Sequence, residues 1–291
     1  MSGRIYLIHS FIFLLLFLCI ASETAADYVD SKNRLASYYA QYPGAAWIQI
    51  WSDEFNGNNL NDSVWTRQVE SPGRYNQELQ TYTNSTENAY LDGNGNLVIK
   101  AIHIGKWLDS GDFTSARLNT AGKKLFTYGK IAMRAKLPFG KGVWPAFWML
   151  GANCSEYPNG TVPWPYCGEI DVMEMIGGGI NDQIFHGTLH YMDHQGRNPA
   201  PTYAFTMPSS PSNDFHIYDV EWTPRSITWM IDGLPYGTKL MGSDMEAFSK
   251  PFFIILNLAV GGTWPGNPDS STKYPQYYIV DWVRAYTNSS S

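Results

Sequence analysis

The chain has 291 residues, a formal net charge of -6 at pH 7 and an aromatic content of 15 %, with eleven Trp. The mild net negative charge argues against nucleic acid or an anionic membrane surface as a partner. The length is enough for one large β domain or two small ones. The Trp content has two interpretations, a core rich in rings or a surface on which sugar rings stack.

Residues 1–26 have the features of an export signal. Arg4 provides a positive charge, and an unbroken apolar run of eleven residues occupies positions 11–21. Such a run is too short to cross a hydrocarbon layer of about 30 Å, and small residues follow it. A membrane anchor is the alternative, and these flanks disfavour it. We therefore expect cleavage near Ala26 and a secreted, extracellular protein that is monomeric and contacts no membrane.

The rest of the chain divides into a lead-in segment, one domain and a tail. Residues 27–46 are polar and rich in Tyr, and they show no clean periodicity. No linker interrupts residues 47–287, so one domain is the better count. Residues 288–291 form the tail, which is mostly Ser.

Short strands between turn signals predict the architecture of this domain. Residues 88–103 form a predicted hairpin around Asp-Gly-Asn-Gly, and residues 130–137 alternate between apolar and charged side chains. A second hairpin is predicted for residues 215–231, and only residues 243–249 have a helical pattern. Many short strands with almost no helix indicate an all-β sandwich of antiparallel sheets.

Two cysteines remain once Cys19 leaves with the signal. Cys154 and Cys167 are 13 positions apart, and in an exported protein they most simply form one disulfide. Two free buried thiols are the alternative. Sequons of the type Asn-X-Ser/Thr, which predict a glycoprotein in a glycosylating host, occur at Asn61, Asn84, Asn153, Asn159 and Asn288.

One strand in the second half of the domain carries three carboxylates. Glu169 and Asp171 are two apart and share a face, but strict alternation would place Glu174 on the opposite, buried face. A β-bulge near Val172 and Met173 would return Glu174 to the face of its partners. Because bulges are frequent beside active sites, the sequence predicts a bulge next to a catalytic centre.

Three acidic side chains on one strand have three interpretations. Apolar neighbours such as Ile170 and Met175 disfavour a solvated acidic strand, and calcium prefers loop carbonyls in its shell. Glycoside hydrolysis explains the set best, because that reaction uses paired carboxyl groups. A separation of about 5–5.5 Å defines a retaining enzyme and roughly 6.5–9.5 Å an inverting one, so spacing in sequence does not decide between them.

The motif Glu169-Ile-Asp-Val-Met-Glu174 resembles the Glu-X-Asp-X-X-Glu signature of family 16 glycoside hydrolases, in their laminarinase-like branch. The resemblance implies a jelly-roll sandwich of two antiparallel sheets with an open concave substrate cleft. It extends from about Trp47 to Tyr286 and includes the segments Trp51–Phe55, Asn76–Tyr82, Thr127–Lys130, Gly142–Trp148, His186–His190, Phe215–Tyr218, Glu221–Pro224 and Ile255–Gly262.

The resemblance also implies separate roles for the three carboxylates. Glu169 corresponds to the nucleophile and Glu174 to the general acid/base, while Asp171 lies between them and orients Glu169. The Glu169 anion is expected to raise the pKa of Glu174 and so keep it protonated for the leaving sugar. The mechanism requires no cofactor.

Six further residues are candidates for binding the sugar: Trp144, Trp148, His190, Asn76, Arg117 and Trp264. By resemblance the first two stack on sugar rings, the histidine lies near the acid/base, and the asparagine and the arginine hydrogen-bond hydroxyls. Trp264 is a third stacking candidate because Gly and Pro hold it on a loop. The alternatives are core packing for Trp144 and Trp148, a structural role for His190, and a turn or a surface ion pair for Asn76 and Arg117.

A structural calcium ion is a further implication of the resemblance, since some members of the family bind one. Glu54, the backbone carbonyl of Gly95 and Asp281 match the positions of its ligands. Carboxylates beside strand ends without a metal are the alternative.

The expected partner is a polysaccharide. The motifs imply β-1,3-glucan first and mixed β-1,3/1,4-glucan second, with agar and carrageenan as distant options. A non-catalytic glucan recognition protein is one rival, although such proteins lose a catalytic Glu and both are present here. A glucan transglycosylase is the other, and in that branch the motif is Glu-X-Asp-X-Glu, without the extra residue that Met173 provides.

Overall fold

The computed structural model describes residues 47–106 and 112–288. The predicted signal peptide, the lead-in segment and the tail after residue 288 lie outside the described residues. Within the described part, no helix combines the length and the apolar character needed to span a membrane.

Strands make up most of the regular structure. Among the described residues, two 3-10 helices, Gly179–Gln183 and Glu246–Ser249, lie between the strands, and only the second falls within the predicted helical segment. In chain order the strands are β1 (Trp47–Asp53), β2 (Thr66–Gln68), β3 (Gln80–Tyr82), β4 (Ala89–Leu91), β5 (Leu97–His103), β6 (Phe113–Ser115), β7 (Arg117–Asn119), β8 (Gly129–Lys136), β9 (Val143–Gly151), β10 (Glu169–Met175), β11 (Ile184–His190), β12 (Thr202–Thr206), β13 (His216–Trp222), β14 (Ser226–Ile231), β15 (Leu234–Leu240), β16 (Phe252–Val260) and β17 (Gln276–Asn288).

These strands form two sheets. The ten-stranded sheet has the order β15-β14-β13-β8-β17-β5-β6-β3, with β1 paired to β17 and β4 to β5. The seven-stranded sheet has the order β12-β11-β10-β9-β16-β7-β2. Its pairs are antiparallel throughout, whereas the larger sheet includes one parallel pair, β3 with β6. The all-β sandwich expected from the strand pattern is confirmed.

The core lies between the two sheets and is rich in aromatic rings. The alternating apolar residues of β8, such as Ile131 and Met133, belong to it as the period-two pattern predicts. Trp65, Trp222 and Trp229 have no exposed surface. Part of the Trp content therefore serves the core, which was one of the two interpretations of the composition.

Both predicted hairpins are present. Strands β4 and β5 pair across the turn at residues 92–96, where the Asp92 carboxylate accepts hydrogen bonds from the backbone N–H groups of Asn94 (2.8 Å) and Asn96 (3.1 Å). Gly93 and Gly95 have φ angles of 77° and 85°, which side chains disfavour. Strands β13 and β14 form the second hairpin, with Trp222 opposite Ile227.

Candidate active site

A cleft of about 610 Å³ lies on the outer face of the seven-stranded sheet. Strands β9, β10 and β11 cross its centre, and the loop before β10 and the loop after β16 contribute to its walls. All nine residues predicted to react with or bind the sugar line this cleft: Glu169, Asp171, Glu174, Trp144, Trp148, His190, Asn76, Arg117 and Trp264.

The predicted bulge is present in β10. Across β11, Asp171 lies opposite Thr188 and Glu174 lies opposite His186, so three steps along β10 match two along β11. The register also shifts against β9 between Asp171 and Met173. Because of the extra residue, Glu174 lines the cleft with its partners while Met173 is buried in the core.

Trp229 of the opposite sheet supports the bulge from below. Its indole N–H donates to the backbone carbonyl of Asp171 at 2.7 Å, where the pairing of β10 with its neighbours is interrupted. The ring has no exposed surface. A buried side-chain donor thus satisfies a backbone carbonyl at the bulge.

Indole N–H groups orient both outer carboxylates. Trp164 Nε1 donates to Glu169 Oε2 at 2.9 Å, and Trp144 Nε1 donates to Glu174 Oε1 at 3.0 Å. A donor of this kind has one direction, so each bond fixes the position of one carboxylate oxygen. Trp144 therefore contacts the predicted acid/base directly, in addition to lining the cleft.

His190 lies above the middle of the cluster. Its Nε2 is 3.4 Å from Asp171 Oδ2 and 3.8 Å from Glu169 Oε1, and its Nδ1 is 3.2 Å from Asn198 Nδ2. The Trp164 ring lies 5.7 Å from the His190 ring. The histidine is thus adjacent to the predicted nucleophile and its neighbour.

Burial raises the pKa of every carboxyl group in the cluster. Burial, followed by repulsion from Asp171, raises the pKa of Glu169 well above its ordinary range, against the lowering effect of His190. Burial and repulsion from Glu174 do the same for the pKa of Asp171, while a hydrogen bond with Glu169 lowers it. Burial and mutual repulsion therefore favour protonated forms in this cluster, and the three groups titrate together.

Glu174 has the pKa that suits a general acid/base. Burial raises its pKa to about 7, although the hydrogen bond from Trp144 and the proximity of His190 both lower it. Charge repulsion from Glu78, a carboxylate on the cleft wall, contributes to the rise. We expected the Glu169 anion to raise this pKa, whereas the causes that raise it here are burial and the charge of Glu78.

The two remaining Trp candidates differ in their surroundings. Trp264 is 40 % exposed and packs edge-on against Trp144, with ring centroids 5.4 Å apart. Trp148 donates from Nε1 to Asn257 Oδ1 at 2.7 Å, and the guanidinium of Arg117 lies 4.7 Å from its ring. Trp148 is thus held by polar contacts as well as packing, while it still lines the cleft.

Arg117 and Asn76 both line the cleft, and each also supports its neighbours. Arg117 is 4 % exposed, and its guanidinium lies between the rings of Tyr75 and Trp148. It donates to Tyr157 Oη at 3.0 Å, so it is not part of a surface ion pair. Asn76 has a φ of 47°, as a turn residue does, and its side-chain amide donates to Glu78 at 3.2 Å.

The two carboxylates among the predicted calcium ligands have other partners. Glu54 accepts two hydrogen bonds from Arg284, at 2.9 and 2.8 Å, and Asp281 forms an ion pair with Arg134. Because an arginine neutralises each carboxylate, little negative charge is left to attract a cation. These contacts do not support the calcium site. The carboxylate and imidazole atoms of Glu169, Asp171 and His190 all lie within 4.8 Å of one another, but these residues form the carboxylate cluster itself.

The expected disulfide is not formed in the structure. Cys154 and Cys167 are free and buried, and a hydrogen bond between the two thiols lowers the pKa of Cys154. The disulfide stays a prediction for an oxidising compartment. The loop that the two cysteines enclose supplies Trp164 to the cleft, and its Tyr157 holds Arg117.

Sequence reasoning missed three side chains of the site. Trp164 gave a weak signal, as an aromatic residue five positions before Glu169. Asn257 was part of a quoted segment but received no role. Glu78 gave the clearest signal, because Glu78, Gln80 and Tyr82 alternate as they do along one face of a strand.

The fold is a β-sandwich, and its open cleft is lined by aromatic rings. A bulge brings three carboxyl groups with raised pKa values to one face of this cleft. This fold and this site are those of a glycoside hydrolase. The comparison with known families agrees, since residues 74–284 match the family described as Glycosyl hydrolases family 16. The chain therefore belongs to glycosyl hydrolase family 16, and its sandwich is the jelly roll of that family.

Two relatives and one solved structure show how close this membership is. The chain is 39 % identical over 253 residues to a beta-glucanase of Rhodothermus marinus, covering 82 % of this chain and 85 % of the relative. It is 36 % identical over 271 residues to a glucan endo-1,3-beta-glucosidase of Cryptopygus antarcticus, covering 86 % and 95 %. The catalytic domain of an endo-1,3-beta-glucanase (laminarinase) from Thermotoga petrophila RKU-1 superposes with a TM-score of 0.73 at 39 % identity, covering 84 % of this chain and 99 % of that domain.

Proposed function

We propose that the protein is an endo-acting hydrolase of β-1,3-glucan, with mixed β-1,3/1,4-glucan as a second substrate. The observation that carries this proposal is the bulge that brings Glu169 and Glu174 to one cleft face, with the pKa of Glu174 at about 7. The linkage rests on the relatives, two of which are an endo-1,3-beta-glucosidase and a laminarinase. An open cleft along the sheet suits internal positions of a polysaccharide chain.

In the first half of the reaction, Glu169 acts as the nucleophile. Its carboxylate attacks the anomeric carbon while Glu174 donates its proton to the glycosidic oxygen, and the bond to the leaving sugar breaks. The Trp164 N–H holds one oxygen of Glu169 in place. Asp171 shares a proton with Glu169, which limits repulsion within the cluster.

In the second half, the ester between Glu169 and the sugar is hydrolysed. Its formation removes the Glu169 charge, which lowers the pKa of Glu174 and favours its carboxylate. That carboxylate takes a proton from water, whose oxygen attacks the anomeric carbon and releases Glu169. The product retains the β configuration, and no cofactor takes part.

Two rival functions share this fold. A non-catalytic glucan recognition protein is disfavoured because both glutamates are present and oriented by indole donors. A transglycosylase would transfer the same intermediate to a sugar, and the extra residue at Met173 favours hydrolysis instead. We also propose that the protein is secreted, on the basis of residues 1–26.

The test is a substrate panel on the mature protein. We expect new reducing ends and short oligosaccharides from laminarin, and a slower reaction on mixed-linkage glucan. Proton NMR of the first product should show the β-anomer. Glu174→Ala should lower kcat on laminarin by at least about 100-fold, because general acid catalysis contributes about 10²–10⁴-fold.

The controls for this panel are the folded state and a second polysaccharide. Agar, which the motifs rank well below β-glucan as a substrate, should give no product. If folded protein released no reducing ends from either glucan, the proposed function would be wrong. Full activity of Glu174→Ala would overturn the acid/base role alone.

A further inference from the structure

Glu78 is a fourth carboxyl group in the cleft, outside the strand that carries the other three. The residue is 7 % exposed and lies just before β3. Its Oε2 accepts hydrogen bonds from Gln80 Nε2 (2.7 Å) and Tyr82 Oη (3.2 Å), and its Oε1 accepts from Asn76 Nδ2 (3.2 Å). Three neutral donors therefore converge on this carboxylate from two sides.

One of these donors is the end of a longer hydrogen-bond chain. Trp148 Nε1 donates to Asn257 Oδ1 at 2.7 Å, and Asn257 Nδ2 donates to Tyr82 Oη at 3.1 Å. An indole N–H can only donate, so the Asn257 amide must present its oxygen to Trp148 and its nitrogen to Tyr82. The Tyr82 proton then points to Glu78. The chain therefore runs in one direction and ends on an acceptor, which is the Glu78 carboxyl group.

The same segment is joined to the loop that carries Trp264. Gln80 Oε1 accepts from Val260 N at 2.7 Å, and the backbone carbonyl of Asn76 accepts from Thr263 N at 2.8 Å. A Cβ built on Gly262 would lie 3.4 Å from Glu78 Cγ and 3.6 Å from Trp144 Cζ3. Glu78 is therefore close to the indole of Trp144, which donates to Glu174, and it is also hydrogen-bonded to Asn76.

We propose that Glu78 is a positioning residue for the substrate: its carboxyl group orients Asn76 directly and Trp148 through Tyr82 and Asn257. The proposal rests on the proposed glucan hydrolysis and adds a residue to it. Glu78 itself forms and breaks no bond to the sugar.

Burial raises the pKa of Glu78, whereas its hydrogen bonds from Gln80, Asn76 and Tyr82 and the charge of Arg117 favour its carboxylate. Burial is the main cause of the raised pKa of Glu174, and Glu78 raises it further. Besides Glu78, the titratable groups around Glu174 include Glu169, Asp171 and His190, and His186 lies directly opposite it on β11. Removal of the Glu78 charge should therefore lower the pKa of Glu174, and the alkaline limb of kcat/KM should move to lower pH.

Glu78→Gln is the direct test, because the change is isosteric. A carboxamide has one acceptor oxygen and one NH2 group. In one orientation its NH2 group faces the donor of Asn76, and in the other it faces the donors of Gln80 and Tyr82. We expect KM for laminarin to rise about tenfold with kcat changed less than about threefold at pH 5.5. The alkaline limb of the kcat/KM profile should shift downward by a measurable fraction of a pH unit.

Tyr82→Phe separates the two effects. This variant breaks the chain between Asn257 and Glu78 but keeps the Glu78 charge, so KM should rise while the alkaline limb stays in place. In the double variant the two KM effects should be less than multiplicative, because both act on one chain. Asp193→Asn is the matched control, since Asp193 is another buried, hydrogen-bonded acid, and it does not line the cleft.

The outcomes distinguish this proposal from the proposed function. Unchanged KM and pH profile in folded Glu78→Gln would overturn the positioning role, even if laminarin is hydrolysed. If the wild type hydrolysed nothing, the affinity for laminarihexaose, measured by Trp fluorescence, would replace KM as the readout. Binding weakened about tenfold in Glu78→Gln would then support the role, whereas equal binding, or none by the wild type, would overturn it.

Discussion

At the scale of single residues, Trp164 acts directly on the chemistry, because its indole N–H donates to the carboxylate of Glu169. This hydrogen bond favours the ionised form and therefore lowers the pKa of Glu169, against burial and Asp171, which raise it. A nucleophile must be ionised to attack. The N–H group thus extends the activity of the enzyme toward lower pH.

Trp164→Phe removes the donor but keeps an aromatic ring. A hydrogen bond to a charged group contributes about 1.5–3 kcal/mol, so kcat/KM at pH 5.5 should fall roughly tenfold or more. Since the pKa of Glu169 rises, the acidic limb of the profile should move to higher pH. The measurement is kcat/KM on laminarin across pH 4–8.

Tyr166→Phe is the matched control for this prediction. Tyr166 is an exposed aromatic residue of the same loop, and it does not line the cleft. Its replacement should leave both limbs of the profile unchanged. An acidic limb that stays in place in Trp164→Phe would show that the hydrogen bond does not control the ionisation of Glu169.

The residues of the site were predictable to different degrees. Glu169, Asp171 and Glu174 follow from their motif, and the parity of a strand shows that Glu174 needs a bulge to join the others. Trp164 lies in an irregular loop, where no periodicity fixes the direction of a side chain. Its contact with Glu169 depends on the path of that loop and could be found only in three dimensions.

At the scale of elements, the bulge in β10 depends on a contact from the other sheet. Trp229 of β14 donates to the carbonyl of Asp171, where the register of β10 shifts. The sequence predicts the bulge from parity, but it does not predict this donor, because β10 and β14 are distant in sequence and belong to different sheets. The position of Glu174 thus depends on contact between the sheets.

Trp229→Phe tests this dependence. The Asp171 carbonyl would lose its buried donor, at a cost of about 1–3 kcal/mol. For a domain of this size each kcal/mol lowers Tm by about 2–4 °C. We expect a lower Tm in thermal unfolding and also a lower kcat on laminarin, because the bulge would no longer be held in place.

Trp222→Phe provides the comparison. Trp222 is equally buried, and its N–H also donates to a backbone carbonyl, that of Phe248 at 3.0 Å, away from β10. It should lose similar stability and keep its kcat. If the two variants lost activity equally at a temperature where both are folded, the special role of Trp229 at the bulge would be refuted.

The hairpins were predictable from sequence, whereas the order of the strands was not. Turn residues such as Asp92 and Gly93 specify the pairing of β4 with β5 locally. Pairs such as β8 with β17, or β9 with β16, join segments that are far apart in the chain. Such pairs are chosen by the burial of whole sheet faces, which no local pattern encodes.

At the scale of the whole molecule, the predicted route of export determines the state of the cysteine pair. An oxidising compartment favours a disulfide between adjacent thiols, and the pKa of the Cys154 thiol is lowered by its hydrogen bond with Cys167. The lower pKa increases the share of thiolate, which is the reactive form. The enclosed loop carries Trp164 and Tyr157, so the bond would brace one wall of the cleft.

Expression with export should therefore yield protein that resists alkylation at both cysteines, as shown by mass spectrometry. The disulfide closes a loop of about 14 residues and should contribute about 3 kcal/mol in the chain-entropy model. Reductant should accordingly lower Tm by several degrees. A Cys154→Ser, Cys167→Ser double variant should show no response to reductant, and alkylation of both thiols in the exported wild type would contradict the prediction.

Well below Tm, reduction should change kcat by less than about twofold, because backbone hydrogen bonds also hold the loop, such as Gly151 N to Gly168 O (3.0 Å) and Ser155 N to Val162 O (2.8 Å).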